Sequence, residues 1–163
     1  MSGLTRLAAL SLAGATLAAP GAARAQGPRT DERGVIRAIN LQRVANGLAP
    51  VRPSRSLAAL ARSHSASMVA HRRFGHGAFA RRIARSSWAR RHTNWTAGEA
   101  LAWGTGVRAT PDAIVAAWMQ SPEHRRIVLD VRFHVVGVGA VKGVPVGGAQ
   151  GRYGRTYTAD FGS

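Results

Sequence analysis

The period of the apolar residues changes along this chain, and that change restricts the fold most. Between Thr30 and Asn46, Val35, Ile36, Ile39 and Val44 recur close to every 3.6 residues and Gly47 supplies a stop, so the pattern predicts a helix. Pro50 and Pro53 bias the residues before them towards extended backbone, which makes Leu48 to Pro53 a link. Ser54 or Ser56 then caps a second helix whose stripe is Leu57, Leu60, Ala61, His64 and Met68. A short helical piece is expected around Phe79 to Arg85. Thr110 and Pro111 start a helix that buries Ile114, Val115, Trp118 and Met119, and Ser121-Pro122 starts another that runs to Leu129. The β-favouring runs are Thr96 to Trp103, Val135 to Val141 and Thr156 to Phe161, the last two forming a hairpin over a glycine-rich connection. Helices grouped in this way, without repeating βαβ units, indicate an α+β fold.

The first residues bear on the compartment. Arg6 opens a mainly apolar run from Leu7 to Ala19, Pro20-Gly21 breaks it, and Ala23-Arg24-Ala25 has the small-x-small form that a signal peptidase reads. Residues 1–25 are therefore expected to be a signal peptide, 26–30 a short linker and 31–163 one domain, secreted or periplasmic. The apolar run falls short of the roughly 20 residues that a spanning helix needs. With no cysteine present, no disulfide staples the fold, and a single apolar core must hold it.

Charge is the other bound. Against 7 acidic residues stand 23 basic ones, all but Lys142 arginine, for a net charge of +16. Such a surface attracts anionic polymers and lipid headgroups. Nucleic acid is not expected as a partner, because export removes it and the chain has neither zinc-finger spacing nor an RNP-like aromatic string. The most basic stretch, Arg72 to Arg91, holds seven arginines and no acid. Its aromatics, Phe74, Phe79 and Trp88, are expected to pack inward while the arginines stay in water.

Three short strings carry candidate chemistry: Phe74-Gly75-His76, Gly98-Glu99-Ala100 and Trp118 to Arg125, which contains Ser121-Pro122-Glu123-His124. Two neutral imidazoles and one carboxylate with an open position make a recognised zinc arrangement. His76, Glu99 and His124 are thus a candidate site for zinc or another divalent metal. His124 falls near the third position of a helix begun by Ser121-Pro122, where the positive end of the helix dipole disfavours an imidazolium. The spacings are not those of a helical histidine pair, so proximity has to come from the fold. His64, on an apolar stripe, reads as a hydrogen-bonded core histidine, Glu123 as a first-turn acid, Asp130 as a turn former, and His71, His92 and His134 as surface residues.

Taken in order, Asn40-Leu41-Gln42-Arg43, Gly47-Leu48-Ala49-Pro50-Val51, the Ala61 to Met68 stripe, the three strings above, Val136-Gly137-Val138-Gly139 and the closing Tyr157 to Phe161 run resemble the CAP superfamily, also called the SCP or PR-1-like family, in its small exported bacterial form. The likeness spans about Asp31 to the C-terminus, and its specificity lies in the ordered series. It implies a three-layer α-β-α sandwich with a small antiparallel sheet and a cleft over one face. Matching motif to motif, the family's cleft residues fall on His76, Glu99 and His124. This chain departs from the pattern twice: Trp118 to Gln120 lacks the second glutamate of many relatives, and Ala100 stands where an Asn usually follows the glutamate. The expected function is that of an exported, non-enzymatic domain, monomeric, whose cleft binds a ligand or partner, anionic or lipid, with or without a divalent metal. Two alternatives stand beside it. One is a metal-dependent hydrolase built on His76, Glu99 and His124, for which no serine or cysteine nucleophile is evident and which lacks a certain general base once Glu99 ligates. The other is a cationic binder of anionic envelope polymers or lipids, acting through Arg72 to Arg91.

Overall fold

A computed structural model describes residues 30–146 and 154–163. The expected signal peptide, most of the linker and the middle of the glycine-rich connection lie outside the described residues. The elements are α1 (Thr30–Ala45), β1 (Arg52–Pro53), α2 (Arg55–Ala70), α3 (Phe79–Ala84), β2 (Ala97–Gly104), α4 (Pro111–Gln120), α5 (Pro122–Val128), β3 (Val135–Lys142) and β4 (Arg155–Gly162). Local chemistry sets the ends. Gly47, at φ +74°, turns the chain after α1. Ser54 caps α2 by accepting from Leu57 N, and Thr110 caps α4 by accepting from Ala113 N, with Pro111 in the first turn.

The four strands lie in the order β1-β3-β4-β2. β2, β4 and β3 are antiparallel neighbours, with the expected β3–β4 pair at the centre, whereas β1 runs parallel to β3. The sheet is therefore mixed, not wholly antiparallel: the link that the two prolines hold extended contributes a two-residue edge beside Val135 and Val136.

Alternation along the strands assigns each face to its helices. Val136, Val138, Tyr157, Ala159 and Phe161 join Val35 and Ile39 of α1 and Ile114 and Trp118 of α4 in one apolar cluster. Trp118 is 1 % exposed, and its Nε1–H donates to Leu101 O at 3.0 Å, so the large ring is buried without an orphaned donor. The opposite face receives α2. There Gly137 and Gly139 let the helix touch the sheet: a Cβ on Gly137 would stand 2.1 Å from Ala58 N, and one on Gly139 2.2 Å from Arg62 N. Ser65 seals this contact by donating to Gly139 O at 3.1 Å and sharing a hydrogen with Thr158 Oγ1 at 2.8 Å.

Two side chains of α1 tie the loops down. Asn40 donates to Val51 O and accepts from Val51 N. The buried Arg43 donates to the carbonyls of Ala49, Val128, Asp130 and Phe133, closing the ends of α5 and of the turn that follows it. Val44, expected on the buried stripe of α1, is instead exposed, as is Leu41. The basic segment also differs from expectation in two places. Trp88 is buried and Phe79 half-buried, but Phe74 is 45 % exposed. Arg82 turns inward, to the buried Glu99. Among the described residues no helix is long and apolar enough to cross a membrane.

Candidate functional site

Glu99 forms the floor of the site, and register puts it there. On the edge strand β2, alternate residues face α2; Gly98 and Ala100 face the other way, Gly98 against Phe133 and Ile127, and Ala100 among the apolar core. The alanine at position 100 thus takes nothing directly from the carboxylate. Glu99 is 3 % exposed, and the segment after α2 folds back over it. Gly77, at φ +54°, makes a turn that a side chain would strain and delivers His76 beside the strand. His76 Nδ1 donates to Glu99 Oε1 at 2.8 Å. The second oxygen, Oε2, accepts from Arg82 of α3, whose other terminal nitrogen donates to His76 O at 2.7 Å. One arginine therefore clamps both the acid and the backbone of its histidine.

His124 comes from α5 on the far side of the β2 edge. Its Nδ1 shares a hydrogen with Ser121 Oγ at 2.9 Å, and no hydrogen bond joins it to His76 or Glu99 among the described residues. It nonetheless lies close enough to His76 for charge on that ring to oppose its protonation. Its pKa is lowered, first by burial and then by His76. The direction is the one expected from the helix start, but the main cause is desolvation. Both cleft rings have Nδ1 engaged, and neither Nε2 has a hydrogen-bond partner among the described residues.

Three further residues complete the cluster, and the sequence did not single them out as parts of it. His64 behaves as the expected core histidine, donating from Nε2 to Gly75 O at 3.0 Å, yet the same nitrogen is 3.8 Å from Glu99 Oε2. Burial lowers its pKa, with Glu99 opposing. Arg82 is one of seven arginines in its segment, and nothing in its neighbours marks it as the inward one. Asp160 had a signal: it is an acid within the β-favouring run Thr156 to Phe161, in a chain with seven acids. It pairs with Glu99 across β2 and β4 and is fully buried. Neither of its oxygens accepts a hydrogen bond among the described residues. Burial, and next the Glu99 charge, push its pKa up to about 8.

This geometry bears on the metal expectation. No group of three or more His, Cys, Asp or Glu side chains among the described residues is placed to hold an ion. Both oxygens of Glu99 are engaged, one of them by a guanidinium, so the carboxylate does not fit as a ligand beside the two imidazoles. An open groove of about 570 Å³ adjoins the site, walled by His64, Met68, His71, Arg73, Phe74 and Gly77.

A mixed sheet between α2 and the α1, α4 and α5 layer, with a histidine–glutamate pair over one edge, defines a small α-β-α cleft domain. A model of the cysteine-rich secretory protein family, CAP, matches residues 36–154, and the chain belongs to this family, although it has no cysteine itself. No curated protein matches it. Among solved structures it is similar to an outer surface protein from Borrelia burgdorferi, with a TM-score of 0.64 and 18 % identity over 82 % of this chain and 92 % of that one. It is also similar to an extracellular SCP-domain protein from Bacillus anthracis, with a TM-score of 0.63 and 22 % identity over 83 % of this chain, and to a cysteine-rich secretory protein from Staphylococcus aureus, at 0.56 and 18 % over 80 %. The chain spans 44 % and 38 % of the lengths of those last two. At these identities the likeness is one of fold.

Proposed function

We propose that the protein is an exported binding domain whose cleft takes an anionic group between the outward nitrogens of His76 and His124, with Glu99 holding His76 in place. The observation that carries this reading is the double engagement of Glu99 by His76 and Arg82. A carboxylate in this position only accepts, so His76 Nδ1 bears a hydrogen, and Nε2 donates to an anion when the ring carries its second hydrogen as well. Arg73 in the wall of the groove, on a chain of net charge +16, favours negative charge in what binds. Export is supported by the leader-like residues 1–25 and by similar structures being described as outer surface and extracellular proteins. In this reading Glu99 is a positioning group and the protein a binder.

Titration with inorganic phosphate, followed through the imidazole NMR resonances, tests the proposal. His76 and His124 are expected to shift together and saturably, and added salt to weaken the response. A Glu99→Gln variant should lose the His76 response. Unmoved cleft resonances, or shifts spread evenly over His71, His92 and His134, would contradict it.

A further inference from the structure

We propose that the segment between α2 and β2 is a docking surface for a linear extracellular polyanion, a polymer with a phosphate or carboxylate on each repeat. Arg72, Arg73, Arg81, Arg85, Arg90 and Arg91 are all exposed. The sequence from 71 to 98 contains no acid, and none of the six forms an ion pair among the described residues. The nearest acid along the chain, Glu99, is buried and taken by Arg82. Positive charge is therefore concentrated here and left without internal compensation.

The segment is also held firmly from below. Ile83 and Trp88 are buried with Leu57 and Ala89 in a cluster of their own. The Trp88 ring stacks on His92 with centroids 4.9 Å apart, meets Trp95 edge-on at 5.8 Å, and packs so closely on Gly162 that a Cβ there would lie 2.3 Å from it. Arg82 pins α3 to the sheet through Glu99. Guanidinium groups on an anchored backbone lose less entropy on binding than groups on a free tail, and each can meet a phosphate or carboxylate with two hydrogen bonds.

The aromatics decide between a polymer and a membrane. A surface that enters lipid presents a cluster of apolar side chains beside its cations. Here Trp88 and Ile83 face inward, Phe79 lies half-buried under Arg82, and only Phe74 reaches far into solvent. Arg73 and His71 also wall the groove that adjoins the cleft. The surface stands on its own observations, whether or not the cleft binds an anion.

Binding of the secreted chain to immobilised linear polyphosphate and to poly-L-glutamate, over a range of salt, tests this, with phosphatidylglycerol vesicles as a third arm. Two variants are compared at equal net charge. One replaces the six named arginines with Gln, and the other does the same at Arg37, Arg52, Arg55, Arg108, Arg125 and Arg126. The first is expected to lose about tenfold or more in affinity for at least one polymer and to flatten the salt dependence, while the second keeps most of both. A smaller variant, with only Arg72, Arg90 and Arg91 replaced, should show a graded loss and covers failure of the larger one to fold. Equal losses in the two charge-matched variants, or binding to vesicles with none to either polymer, would overturn the proposal.

Discussion

Asp160 enters the site from β4 without a donor to either oxygen among the described residues, a setting that suits a carboxyl and not a carboxylate. Its unfolded pKa is near 3.8 and its folded one about 8. Between those values the native chain keeps a proton that the unfolded chain has released, so this residue makes stability fall as pH rises from about 4 to about 8, with no further loss above. An Asp160→Asn variant removes the slope. Urea unfolding of both proteins at pH about 5 and about 8 should show the variant gaining on the wild type at the higher pH. His64 and His124 act in the opposite direction. Their folded pKa values are lowered from 6.5, so their share of stability is present above that pH and is lost as the medium becomes more acidic. Arg43 carries a different prediction. Its guanidinium serves four carbonyls from within the protein, and Arg43→Met leaves them unpaired, at a cost on the order of 3 kcal/mol. Urea midpoints measure that loss; a change below about 0.5 kcal/mol would mean that water reaches those carbonyls.

At the scale of elements, the contact between α2 and the sheet depends on the missing side chains of Gly137 and Gly139. An alanine at either position would drive a Cβ into helix backbone, which cannot rotate away as a side chain can. Gly139→Ala is expected to destabilise by about 3 kcal/mol or more, or to prevent folding, whereas Gly47→Ala, with open space around it, should cost about 1 kcal/mol through its positive φ alone. Thermal melts of the two variants would separate packing from backbone strain. Much at this scale was legible in the sequence. The caps at Ser54 and Thr110, the short α3 and the β3–β4 pair follow from local turn and capping chemistry, which acts within a few residues. Val44 and Phe74 were misplaced because periodicity reports a stripe without its width, and a loop aromatic carries no period at all.

Over the whole molecule, the pairing of His76 with Glu99 was legible only through the ordered likeness to a family. The residues around that pair were not. Asp160 faces Glu99 because β2 and β4 pair in one register, and a slip of one residue would have sent Asp160 to the other face among Val136, Tyr157 and Phe161. Arg82 reaches Glu99 because Ile83, the next residue, is the buried anchor of α3, a fact that needs the packed cluster to be seen. In the same long-range geometry Glu99, expected as a metal ligand, bonds to a histidine and an arginine. The most direct test of that central claim is a crystal grown near neutral pH and soaked in zinc. Glu99 should still be bonded to His76 Nδ1 and to Arg82, with any ion confined to the Nε2 side of the imidazoles. A Glu99 oxygen within about 2.2 Å of zinc, with Arg82 swung away, would contradict it.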